Sequence, residues 1–225
     1  VKVLVGCEFS GRVRDAFRAH GHDAWSCDLL ESDPPSEFHI VADVRGILHD
    51  GWDLAIFHPP CDHLAVSGAR WWTDHVVKRK KGGDYFYDGS KKRAAQEAAL
   101  AFVLALMEAP IPRIAVENPI SVISTRIRPP DQIIQPWMFG DPYQKATCLW
   151  LKNLPLLVAT NEVEGRTQAV WRATPSPDRW KLRSLTYPGI AQAMAVQWGS
   201  LSPLVVENPR TGFVETQLSL PLTDE

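Results

Sequence analysis

The chain has 225 residues, 45% of them hydrophobic and 22% charged, which describes a globular protein with room for a sizeable core and one domain or one and a half. No apolar run reaches the length of a membrane span and no signal peptide is evident, and four scattered cysteines without a C-x-x-C pair argue against structural zinc or a disulfide framework and for a reducing cytoplasm. With a net charge of −2, a phosphate-backbone partner would have to meet a local basic patch.

Residues 1–6 predict a first apolar strand, ending in the turn Gly6-Cys-Glu-Phe-Ser-Gly11. Ser10 is a suitable helix cap, Val13, Ala16 and Phe17 recur at helical spacing, and Gly21 closes that helix. His22 to Cys27 and Phe38 to Ala42 predict two more strands, closed by Asp28 and Asp43. Asp53 to Phe57 is a fourth, an apolar run that Pro59 and Pro60 take out of the ladder. This alternation predicts an α/β fold, a doubly wound and mostly parallel sheet. A small-residue turn after the first strand, with an acid ending the second about 20 residues on, is the geometry of a nucleoside site. Asp28 would hold ribose hydroxyls and Asp43 an adenine edge, although either acid could also be a plain turn residue. There is no G-x-G-x-x-G, which disfavours a dinucleotide, and no G-x-x-x-x-G-K-[ST], which excludes a P-loop.

Cys61 follows the Pro-Pro pair at the carboxyl end of a central strand, where open α/β sheets bind ligands. It is a candidate nucleophile or one more small buried residue. Residues 62–93 interleave Arg70, Trp71, Trp72, Lys78, Arg79, Lys80, Lys81, Tyr85, Phe86 and Tyr87 with glycines, which suits a mobile loop closing on nucleic acid or a solvated charge run. Residues 91–108 predict a helix ended by Pro110, and Arg113 to Val116 a fifth strand running into Glu117-Asn-Pro119. A thiol and a carboxylate thus close two apolar strands, a candidate nucleophile and acid. Residues 128–160 are Pro-rich with short strands near Ile133 and at Cys148–Leu151, and Gln144, Lys145 and Thr147 are either phosphate contacts or loop polars. Residues 161–183 read as loop, and Pro188 to Trp198 as a final helix.

These motifs resemble DNA cytosine-5 methyltransferases, in particular a compact phage-type branch. Phe9-Ser-Gly11 resembles the family's cofactor turn, Asp28 and Asp43 its strand-end acids, Pro59-Pro-Cys61 its nucleophile motif, Glu117-Asn-Pro119 its Glu-Asn-Val, and Pro188-Gly-Ile-Ala-Gln-Ala its late pocket-closing motif. The resemblance covers roughly residues 1–125 and 184–199. It implies a Rossmann-like methyltransferase fold with a small irregular lobe. Residues 1–127 with 184–199 would be the catalytic domain, 128–183 the lobe and possible DNA-recognition unit, and 200–225 a tail. It implies S-adenosylmethionine as cofactor, held by Cys7, Glu8, Phe9, Ser10, Gly11, Asp28, Leu29, Asp43, Pro59 and Ala191. Cys61 would attack carbon 6 of a flipped cytosine while Glu117 holds its nitrogen 3. DNA would meet Ser67, Arg70, Lys78, Arg79, Lys80, Lys81 and Lys145. No metal is implied. Val13 stands where the cofactor turn usually has a second glycine, and Asp62 where Gln is common. The Gln-x-Arg-x-Arg segment is not evident, leaving Arg172 or Lys145 as substitutes.

The tail Gln217-Leu-Ser-Leu-Pro-Leu222 resembles the hexapeptide by which bacterial proteins dock on the replicative sliding clamp, with Gln217 to hydrogen-bond and Leu218, Leu220 and Leu222 as anchors. Two other readings remain open: a carbon-5 modifier using another donor or a free nucleotide, and a non-catalytic DNA- or clamp-binding module.

Overall fold

Short apolar runs closed by breakers do form the strands. The computed structural model describes residues 1–79, 81–167, 179–202, 205–207 and 214–216. Seven strands make the main sheet: β1 (Lys2–Gly6), β2 (Asp23–Asp28), β3 (His39–Val41), β4 (Leu54–Phe57), β5 (Arg113–Pro119), β6 (Gln132–Ile134) and β7 (Thr147–Lys152). Their order is β3-β2-β1-β4-β5-β7-β6. The pairs from β3 through β5 are parallel, and β7 runs antiparallel to both β5 and β6. The order reverses direction at β1, which pairs β2 on one side and β4 on the other, so a crevice opens there at the strands' carboxyl ends.

Strand period two divides the core between two faces. Val3, Val5, Leu54, Ile56 and Ala115 pack beneath α1 (Arg12–Ala19) and the late helix Pro188–Gly199, with Phe17, Met194 and Trp198. Leu4, Ala55, Phe57, Ile114 and Val116 pack on the other face with Leu100, Val103 and Leu106 of α2 (Ser90–Met107). Helices on both faces make the sheet doubly wound, as expected. Phe57 and Ile56 are fully buried, and each such side chain contributes roughly 2 kcal/mol relative to exposure.

Several local expectations change. The cap of α1 is Gly11, in the left-handed region at φ 65°, and not Ser10. The side chain of Glu8 does the capping, accepting from the N–H groups of Val13 (2.8 Å) and Arg14 (3.3 Å). Its longer reach lets the turn pass one residue further before the helix starts. The stretch after Cys61 holds a 3₁₀ segment, Val66–Trp72, and a two-stranded antiparallel hairpin, His75–Val77 with Tyr85–Tyr87. Residues 128–183 supply β6 and β7 to the main sheet, and Arg179–Ser184 is a short helix inside what reads as loop. Val205–Glu207 pairs antiparallel with Val214–Thr216. Among the described residues no helix is long and apolar enough to cross a membrane.

Candidate active site

The parallel register of β4 and β5 sets Phe57 level with Val116, so the residues that follow, His58 and Glu117, come out side by side. His58 Nδ1 lies 3.2 Å from Glu117 Oε2. The His58 N–H donates to the Gly6 carbonyl (2.9 Å), after which Pro59 and Pro60 carry the chain off the sheet. Asn118 Nδ2 donates to the Pro59 carbonyl at 2.9 Å, tying the Glu-Asn-Pro strand end to the Pro-Pro turn. Cys61 then starts a tight turn, its carbonyl accepting from Leu64 (3.0 Å) and Ala65 (2.8 Å). Cys61 is exposed.

The charges around this edge oppose one another. Although its residue meets solvent, the Cys61 thiol is pushed up, first by the protein packed around it and then by the carboxylates of Glu117 and Asp62. Lys145 and Arg183 pull it down. Burial also raises Glu117, but the His58 hydrogen bond, the nearby Lys145 charge and a hydrogen bond from Thr147 outweigh it, and the net direction is down. Glu117 is therefore a carboxylate near neutral pH. The Lys145 ammonium donates to the Leu185 carbonyl (3.2 Å), which holds it near both groups.

Beside this edge lies a cavity of about 290 Å³. Its walls come from the ends of four strands: Cys7 after β1, Cys27, Asp28 and Leu29 at β2, Ala42 to Arg45 after β3, and Pro60 after β4, with Phe102 of α2 behind them. Asp28 Oδ1 accepts from the Leu30 N–H (3.0 Å), and Leu29 is 74% exposed on the rim. Asp43 is gripped by Arg45, whose backbone and guanidinium hydrogen bonds bring its pKa down to about 2. Both acids are thus turn residues and cavity walls at once. Cys7 takes a left-handed φ of 59°, and burial lifts its thiol to about 12. Asp28, the apolar rim at Leu29 and an Asp43 already paired with Arg45 leave a wall that suits a nucleoside, so the residues present fit the adenosyl part of S-adenosylmethionine. A hollow of about 380 Å³, lined by Met107, Trp150 and Lys152, lies instead beside the start of β5.

The remaining expected residues fall into three places. Phe9 and Ser10 are buried in the turn, the Phe9 ring 5.7 Å from that of Trp180. Ala191 is buried in the core under α1. Ser67, Arg70, Lys78, Arg79 and Lys81 are exposed on the excursion after Cys61. Arg70 lies over Trp71 (4.6 Å) and Arg79 over Tyr85 (4.5 Å). Lys92 Nζ donates to the Asp62 carbonyl (2.7 Å) and Gln96 to that of His63 (3.2 Å), so α2 anchors the base of the excursion next to Cys61. Lys80, Arg172 and the Gln217–Leu222 peptide lie outside the described residues.

Reading the sequence missed His58, Asn118 and Arg183 as parts of the site. His58 and Asn118 adjoin the residues singled out, and a polar side chain directly after a fully apolar strand was the available signal. Arg183 carried none.

Compared by sequence, the chain matches no protein-family description and no curated protein. Among solved structures it is similar to a prophage-encoded protein of E. coli described as a DNA modification methyltransferase, with 11% identity and a TM-score of 0.39 over 77% of this chain and 55% of the other. The chain thus spans about half the length of that protein.

Proposed function

We propose that the protein is an S-adenosylmethionine-dependent DNA cytosine-5 methyltransferase. The observation that carries this reading is the pairing at adjacent strand ends of an exposed thiol, Cys61, and a half-buried carboxylate, Glu117, next to a cavity walled by Cys7, Asp28, Leu29, Asp43 and Pro60.

Carbon 5 of cytosine is a poor nucleophile until the ring is opened to charge. The Cys61 thiolate forms an S–C6 bond, and the pair of electrons released from the C5–C6 double bond moves into the ring. The Glu117 carboxylate accepts from the exocyclic amine and, taking up a proton from solvent, hands it to nitrogen 3, where that charge collects. S-adenosylmethionine supplies the electrophilic methyl group that carbon 5 takes. Water then removes the proton from carbon 5, the S–C6 bond breaks, and the thiolate returns to Cys61. Lys145, held near both groups, takes the role of the cation that steadies the base. A stacked base is out of reach, so the cytosine must leave the duplex, and the cationic, aromatic excursion beside Cys61 is suited to grip the DNA while it does. The Gln217–Leu222 peptide would tether the enzyme to a sliding clamp.

The test is a covalent trap. DNA containing 5-fluorocytosine, incubated with the protein and S-adenosylmethionine, should give a stable adduct that Cys61→Ser abolishes. Absence of an adduct with the wild-type protein overturns the reading. The mass gained by ordinary DNA identifies the transferred group, so a gain other than that of methyl would assign a different donor.

A further inference from the structure

The excursion after Cys61 is anchored through α2, on one face of the sheet. The other face carries a second cationic and aromatic stretch at the same strand ends. It joins Tyr143–Lys145, just before β7, to Leu185–Tyr187, which lead into the late helix packed with α1. The Lys145 ammonium donates to the Leu185 carbonyl (3.2 Å) and the Arg12 guanidinium of α1 to that of Thr186 (3.0 Å), so two cations pin this segment. The rings of Tyr143 and Tyr187 stack, with 5.3 Å between centres and 29° between planes, and both residues are half-buried. Arg183 is exposed, and among the described residues it has no hydrogen-bond or ion-pair partner. It lies near enough to Cys61 for its charge to favour the thiolate. The carboxylates at this stretch are engaged: Asp141 accepts from the Gly189 N–H (2.9 Å) and Asp33 meets Lys181 (3.7 Å). A rigid ring pair beside an unneutralised guanidinium suits a ligand with flat faces and negative charge, which is what a strand of nucleic acid offers.

We propose that Tyr143, Tyr187 and Arg183 form a second wall for DNA, across the Cys61–Glu117 edge from the hairpin: the stacked phenols pack against an unpaired base of the strand that carries the target, and Arg183, with Arg12, meets the phosphates beside it. The proposal deepens the cytosine-5 reading and rests on it for the choice of DNA as the polymer. It gives the substrate strand a support on each face of the sheet, with the thiol between them. The contacts go to a ring face and to phosphate, so this wall grips without reading sequence. Lys145 joins the wall to the chemistry. The ammonium that lies near Glu117 also holds the Leu185 carbonyl and sits 6.0 Å from the centre of the Tyr187 ring.

Binding to the full chain, with no cofactor present, tests this. The probes are an oligothymidylate of about 12 nucleotides and a strand of the same length that lacks bases. Wild type should prefer the oligothymidylate, and that preference should shrink about tenfold in Tyr143→Ala and in Tyr187→Ala. Each variant is its own reference, because partial unfolding weakens both probes alike and leaves their ratio unchanged. Arg183→Ala should instead weaken both probes equally and flatten the dependence of log affinity on log salt by about 0.7. A preference unmoved in either tyrosine variant, or a salt slope unmoved in Arg183→Ala, overturns the proposal. Neither readout depends on methyl transfer. If both effects appear and the wild-type protein forms no adduct with 5-fluorocytosine DNA, the wall stands and the cytosine-5 reading falls. If the adduct forms and the two readouts do not move, the wall alone falls.

Discussion

Of the four free thiols, Cys61 is the exposed one, and its environment makes a chemical prediction without any substrate. Cys7 is lifted to about 12 and Cys27 and Cys148 to about 11, all chiefly by burial, so they remain thiols near neutral pH. Iodoacetamide should therefore label Cys61 alone. Because the Glu117 carboxylate raises the Cys61 thiol, Glu117→Gln should increase the thiolate fraction and speed labelling at pH 7.5, while Lys145→Met, which removes a charge that lowers it, should slow labelling. Each effect should be about threefold to tenfold at fixed pH. A labelling rate indifferent to both changes would mean that neither charge reaches the thiol.

At the scale of elements, the hairpin after Cys61 has two unlike faces. His75 and Tyr87 face each other across the strands and pack with Trp71, at 5.4 and 4.9 Å between ring centres. The opposite face pairs Val76 with Phe86, which are 57% and 66% exposed. Leaving such a pair in water is unfavourable unless a partner covers it, and the nearby cations Lys78, Arg79 and Lys81 suit a nucleic acid. Phe86→Ala should weaken DNA binding by about tenfold, as loss of one base-stacking ring does. Replacing Lys78, Arg79 and Lys81 with alanine should flatten the dependence of log affinity on log salt by about 0.9 for each lost phosphate contact. Titrations at several salt concentrations separate the two terms, and equal affinity for all variants would remove the hairpin from the proposed DNA interface. The late helix Pro188–Gly199 offers a prediction of stability. A Cβ on Gly189 would lie 1.8 Å from the Phe139 carbonyl oxygen, and the Gly189 N–H already donates to Asp141 (2.9 Å). Gly189→Ala should destabilise the protein by about 3 kcal/mol, a fall of roughly 10 °C in Tm by calorimetry. The Pro-Gly pair thus has a packing reason, whatever it does for a ligand.

Across the whole molecule, the parallel half of the fold was readable because both-face burial leaves near-continuous apolar runs such as Leu54–Phe57, bounded by prolines and acids. The later strands were seen only as short pieces, since Gln132–Ile134 is an edge strand and Thr147–Lys152 takes its place between two distant segments. No local pattern tells which neighbours a strand will find. The hairpin was missed as well, although Gly82 and Gly83, at φ 90° and 76°, supply the left-handed residues its connection needs. Cys61 and Glu117 stood out because breakers fix them at strand ends. The contact between His58 and Glu117 spans 59 positions and could not be read from either motif. The tail makes its own prediction: removing residues 217–225 should leave methylation of a short duplex unchanged and abolish capture by an immobilised sliding clamp. Capture that survives the truncation would reject the tether.

The inserted β7 also orders the chain's assembly. β5 carries Glu117, yet its outer edge stays open until β7 is made about thirty residues later, and β6 has no strand to join before then. During synthesis the carboxylate's strand emerges with one bare flank. The proposed nucleophile and nucleoside cavity can take shape early, but the acid opposite Cys61 gains its second wall only when Thr147–Lys152 slides in antiparallel. A ribosome stalled before that point would therefore display a thiol without a settled partner.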